Sequence, residues 1–203
     1  MSGRSAGGRP SQRADARRNA TRITEAARTT FASQGPEASL IEIARTAGVG
    51  SATLYRHFPT REALLAAVYQ QQIEELAAGA RTELTESASP WEALVTWLHA
   101  VAFHLATHRG LKGLLISRYE DQAELFTQCR RTLCEAATEL LTAAQDCGAV
   151  RRDVDAYRML KMVSAVVLAN EQSGDDDEID LLLGLVIDGL RRHDDPRSEA
   201  ATP

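Results

Sequence analysis

Lysine is nearly missing from this chain: Lys112 and Lys161 stand against 21 arginines. Cysteine is scarce too. Cys129, Cys134 and Cys147 share no CxxC spacing, and their odd number does not make a disulfide framework. That usage fits a reducing compartment and places the chain in the cytoplasm. Aromatic residues make up only 5%. No apolar run approaches the roughly 18 residues that span a bilayer, so no membrane segment is expected. The N-terminus lacks the apolar core of a signal peptide. No Gly-rich phosphate loop, nucleophile elbow or zinc-protease motif occurs, which argues against an enzyme. No cofactor is implied.

What is present is unevenly charged. The formal net charge of −5 alone speaks against a nucleic-acid binder. Its distribution reverses that reading, because residues 1–61 carry a net +6 and residues 62–203 a net −11. A basic head on an acidic body implies that only the head meets a polyanion.

The apolar spacing is helical throughout. Residues 1–14, rich in Gly, Ser, Arg and Pro, are expected to form a disordered arm. A first helix should run from about Asp15 to Gln34, with Ala20, Ile23, Ala27 and Phe31 on its buried stripe and Gly35-Pro36 as its stop. Ser39 to Glu42 is a capping-box sequence. Thr60 can cap a long helix over about 61–86, and Ser89-Pro90-Trp91-Glu92 starts the next, which should reach about His108. Arg109-Gly110 breaks it, and Leu111–Ser117 reads as a short helix. A helix over about 120–147 should end on Gly148. Asp153 or Asp155 opens another that ends near Gly174. The acids Asp175–Glu178 suit the N-terminus of a last helix ending about Arg192. The tail over 193–203 is polar.

The most informative run is Ile43-Ala44-Arg45-Thr46-Ala47-Gly48-Val49-Gly50-Ser51-Ala52-Thr53-Leu54-Tyr55-Arg56-His57-Phe58. It reads as two short helices about a tight turn at Gly48. Ile43, Ala44, Val49 and Leu54 plug the joint, and Phe58 joins them. The second helix then shows Ser51, Ala52, Thr53, Tyr55, Arg56 and His57. None is acidic, and hydroxyl and basic groups suit phosphates and major-groove base edges. This is the pattern of a helix-turn-helix whose second helix enters the groove.

Residues 17–64 resemble the DNA-binding domain of the TetR family of bacterial repressors. The resemblance rests on Arg18-Asn19, Ala26-Ala27, Phe31, Gly35, Ile43-Ala44, Ala47-Gly48-Val49, Thr53-Leu54-Tyr55, His57-Phe58 and Glu62-Ala63-Leu64-Leu65. It implies an all-α fold. An N-terminal three-helix helix-turn-helix domain (15–60) would precede a larger helical ligand-binding and dimerisation domain (61–192). It also implies a regulator that binds operator DNA as a homodimer and is released by a small-molecule effector. Residue by residue, Thr53 and Tyr55 match phosphate-contacting hydroxyl positions, His57 a phosphate or groove contact, and Ser39 a backbone-phosphate contact. Arg61 stands where the family usually has Lys, and keeps the charge for a phosphate contact. Arg56 occupies a variable position and is the best base reader, since Arg grips guanine with two hydrogen bonds. Ile41, where relatives carry polar residues or Arg, argues against a base contact from the helix before it. Arg13, Arg17, Arg18 and Arg22 either grip flanking phosphates or form a solvated arm.

The last two helices are richer in apolar residues than one buried face requires. Ile179, Leu181, Leu182, Leu183, Leu185, Val186, Ile187 and Leu190 nearly encircle the final one, so part of it should lie in a subunit interface. Leu183 and Ile187 are candidates for the outward side. For the effector the candidates are Trp97, Phe103, His104, Tyr119, Phe126, Met159, Met162 and Asn170. Trp97, His104 and His108 share one stripe, and the two histidines are read as a partly exposed face. His104 and His108 lack a third ligand, so no metal site is assigned. The rival reading is a constitutive or architectural DNA-binding protein with no effector.

Overall fold

The computed structural model describes residues 9–107, 123–170 and 176–192. The expected short helix over 111–117, Tyr119, His108 and both chain ends lie outside that set. Among the described residues are eight helices: α1 (Arg9–Gln34), α2 (Leu40–Thr46), α3 (Ser51–His57), α4 (Arg61–Glu86), α5 (Pro90–Thr107), α6 (Ala123–Asp146), α7 (Ala156–Ala169) and α8 (Asp176–Leu190). The fold is therefore all-α, with an N-terminal helix-turn-helix followed by a larger helical domain. No helix among the described residues is long and apolar enough to cross a membrane.

Side-chain caps start four helices where the sequence offers them. Ser39 accepts from the Glu42 amide, Thr60 from Ala63, Ser89 from Glu92 and Asp155 from Arg158. Each satisfies an amide that the first turn leaves without a helical partner. The capping box at α2 is half-formed, because the Glu42 carboxylate takes the Gln34 amide at 3.2 Å. Three helix ends rest on left-handed glycines: Gly35, Gly48 and Gly148. At Gly48 the amides of Gly48 and Val49 return to Arg45 and Ala44, and at Gly148 the pattern repeats onto Gln145 and Ala144. These are Schellman closures. The first helix begins at Arg9, six residues before its expected start at about Asp15, so its first turns fall in the stretch expected to be a disordered arm. That stretch has no apolar periodicity, so the added turns leave no sign in the sequence.

The chain divides into two compact units, with the division falling inside α4 at Gln72–Ile73. In the first unit Ile23, Ala27, Ile43, Ala44, Leu54 and Leu64 form the most completely buried apolar set. In the second, α5 is covered by α6, α7 and α8. Its core joins Leu94, Trp97, Leu98 and Val101 of α5 to Leu140, Met159, Val163 and Leu183. An antiparallel bridge between Val150 and Arg191 closes the end of that unit. There the Arg191 guanidinium lies 4.4 Å above the Trp91 ring.

Two expectations are corrected here. His104 belongs to no exposed face: it is buried, as is Trp97, because three helices pack around α5 and cover more than one stripe. Leu183 and Ile187 both face inward, and the outward residues of α8 are Leu181 and Leu185, at 67% and 64% exposure.

Candidate nucleic-acid interface

The turn between α2 and α3 is tight because Gly48 has φ +63°. Leu54, 1% exposed, holds α3 down with the buried pair Ile43 and Ala44. Anchoring through Leu54 turns Ser51, Ala52, Tyr55 and Arg56 outward. Thr53 and His57 flank them, half-buried. The His57 ring sits 6.3 Å from Phe58, and its Nε2 is shut off from solvent. No acid lies in α3. The result is a seven-residue helix with one apolar anchor and an outward face of small, hydroxyl, phenol and guanidinium groups. Such a face can donate to phosphate oxygens and guanine edges without like-charge repulsion.

The neighbouring elements add to this surface. On α2, Ile41, Arg45 and Thr46 are exposed, Ile41 by 68%. Arg17 and Arg18 of α1 are exposed, and Arg18 is paired with Asp15. Arg22 bends back to donate to the Gly48 carbonyl at 3.4 Å, and so braces the turn. Its partner could not be foreseen, because the contact spans 26 residues. Arg61 also turns inward, and its Nη1 donates to the carbonyls of Pro36 and Ala38.

Gly48→Ala is expected to destabilise the first unit by about 1–2 kcal/mol, the cost of a left-handed non-glycine residue. An added Cβ would lie 2.5 Å from Arg22 Nη2, a flexible end that can move away at the loss of its bond to the turn. A lowered denaturant midpoint for α1–α3 would show it; an unchanged midpoint would mean that the positive φ carries no cost.

The effector candidates divide by burial. Trp97 and Met159 lie in the core of the second unit, and the Trp97 indole donates to the Leu76 carbonyl at 2.8 Å. His104 is buried, Asn170 is buried with its amide on the Val166 carbonyl, and Phe126 is half-buried. Phe103 and Met162 face outward at 72% and 53% exposure. None of the three cysteines is disulfide-bonded. Burial pushes the thiols of Cys129 and Cys134 above their ordinary value, which keeps them protonated and unreactive.

This arrangement defines a helix-turn-helix DNA-binding protein. Residues 23–68 match the family model described as bacterial regulatory proteins, tetR family. Residues 89–192, just over half of the chain, match that of the transcriptional regulator SbtR-like C-terminal domain. The chain belongs to the TetR family of bacterial transcriptional regulators. It is 31% identical over 142 residues to an uncharacterized HTH-type transcriptional regulator of Mycobacterium tuberculosis, covering 68% of this chain and 71% of that one. It is 28% identical over 187 residues to the HTH-type transcriptional repressor KstR2 of Rhodococcus jostii, covering 84% and 90%. Among solved structures, the TetR regulatory protein of Mycobacterium vanbaalenii superposes with a TM-score of 0.70 at 34% identity, over 89% of this chain and 99% of that one.

Proposed function

We propose that this protein is a repressor that binds a partly palindromic operator as a homodimer and is released by a small, mostly apolar molecule. The observation that carries the DNA-binding part is the outward face of α3, anchored by Leu54 and free of acids. Arg56 reads a base edge. Ser51, Ala52, Thr53 and Tyr55 pack against the groove and its phosphates, and Ser39 and His57 contact the backbone at the rim. A relative described as a repressor supports the sign of regulation.

The homodimer reading rests on the outward sides of α7 and α8. Met162 and Leu168 of α7 and Leu181 and Leu185 of α8 are 53–67% exposed. A groove of about 440 Å³ between these helices is lined by Met159, Met162, Leu185 and Leu190, among others. Exposed apolar residues gathered on two neighbouring helices mark an association face. A two-fold pair would present its α3 helices about 34 Å apart, one turn of DNA. The effector reading rests on the second unit, which carries far more helix than pairing needs and holds His104 and Asn170 inside it. A constitutive regulator would need neither.

The experiment is selection of operator sites from random DNA, followed by titration of the best site. Arg56→Ala should weaken operator binding by about 1–3 kcal/mol and relax the preference at one base pair in each half-site. Equal affinity of wild type and variant for operator and for random DNA would remove Arg56 from the reader. For the effector, operator-bound and free protein are titrated with compounds that raise the melting temperature. Linkage requires that operator lower ligand affinity by the factor by which ligand lowers operator affinity, about 5- to 150-fold. Equal affinities would leave the constitutive reading.

A further inference from the structure

Arg61 opens α4, at the place where a phosphate contact is expected from the resemblance. Its side chain is only 25% exposed, and one of its terminal nitrogens, Nη1, is engaged within the protein. Nη1 has two hydrogens, and it donates to the Pro36 carbonyl at 2.8 Å and the Ala38 carbonyl at 2.5 Å. Nε lies 3.9 Å from the Glu37 carboxylate. One guanidinium thus holds three consecutive residues of the α1–α2 loop. A two-point grip on phosphate needs two neighbouring N–H groups aimed outward. Here both hydrogens of Nη1 are spent on loop carbonyls, so the fork made by the two terminal nitrogens cannot close on a phosphate.

The loop it holds is the platform for the DNA reader. Ala38 is 6% exposed, and the next residue, Ser39, caps α2. The direction in which the chain enters α2 sets the placement of α2, and α3 is joined to α2 by the closed turn at Gly48. The Pro36 and Ala38 carbonyls lie outside any helix, so the guanidinium is the protein donor that satisfies them.

We propose that Arg61 is a positioning residue of the operator reader. It ties the first turn of α4 to the loop that launches α2, and it governs operator recognition without touching DNA. A lysine there would offer a mobile point charge in place of this planar fork. The inference rests on the DNA-binding reading above. It departs from what the resemblance implies in removing Arg61 from the phosphate contacts.

The test uses the full-length protein and an operator selected by the wild type. Arg61→Ala should raise the operator dissociation constant about tenfold or more, as loss of a charged hydrogen-bonded contact does. Binding to random DNA should change by less than about twofold. The slope of log affinity against log salt should match the wild type, since no phosphate contact is lost. Without DNA, amide exchange at residues 38–41 should accelerate, because the loop has lost its tether. Arg61→Gln keeps one NH₂ group, with two N–H donors, without the charge and should fall between wild type and Ala. It carries the same readouts should Arg61→Ala fail to fold. A salt slope shallower by about one phosphate, or unchanged exchange in the DNA-free protein, overturns the proposal. Failure of the wild type to select any sequence sinks the DNA-binding reading and this proposal with it.

Discussion

Leu181→Glu combined with Leu185→Glu is expected to give a folded monomer that no longer holds its operator. Both side chains are about two-thirds exposed in the single chain, one turn apart on the outward face of α8. Carboxylates there meet water in the monomer, so folding should be almost unaffected. In a two-fold interface the same groups would be buried four times over. Each unpaired buried carboxylate costs several kcal/mol, so dimerisation should weaken by about a thousandfold or more. A monomer engages one half-site, and the loss of linked second-site binding lowers operator affinity by about 10²- to 10⁴-fold. Light scattering at micromolar concentration, circular dichroism and operator titration test the three parts. A variant that stays dimeric would place the interface on another face. Leu183→Glu is the contrast: two residues away but 0% exposed, it should unfold the second unit rather than split a dimer.

That contrast shows what periodicity conveys and what it leaves open. The sequence of α8 is apolar nearly all round, which says that more than one side is covered. It does not say which side faces the chain's own core. That is decided by the two helices it packs on, α7 and, far away in sequence, α5, which select Ile179, Leu183, Ile187 and Leu190. The helix-turn-helix was legible almost residue by residue, because its determinants are local. Gly48 supplies the positive φ, Ser39 the cap and Leu54 the plug, each within a few residues of what it controls. Helix ends were legible for the same reason at Gly35, Ser89 and Gly148. The partners of Arg22 and Arg61 were not, since their bonds cross 26 and 25 residues. A basic residue beside a DNA reader looks like a phosphate contact until the fold gives it a carbonyl to hold. His104 was misplaced for a related reason: a stripe opposite one apolar stripe is exposed only when a helix is covered on one side.

Trp97→Ala should be the most damaging single truncation in the second unit, lowering its stability by about 3–5 kcal/mol. The indole is 1% exposed and lies among Leu94, Leu98, Val101 and Leu140 in one packed cluster. Its Nε1 donates to Leu76 O of α4 at 2.8 Å, so the ring fixes two helices by both packing and a hydrogen bond. Alanine would leave a large void that close-packed neighbours can fill only in part. Trp97→Phe keeps most of the packing and removes the donor, and should cost about half as much or less. The chain has two tryptophans, so Trp91 is the sole indole left in either variant. Stacked under Arg191, it reports on the same unit, and urea titration followed by its fluorescence gives the midpoint directly. A Trp97 that lined a ligand chamber would behave differently. Its truncation would widen existing space, leave the midpoint within about 1 kcal/mol of wild type and shift effector affinity instead. A midpoint that holds in Trp97→Ala would therefore move this residue from the core to the effector site.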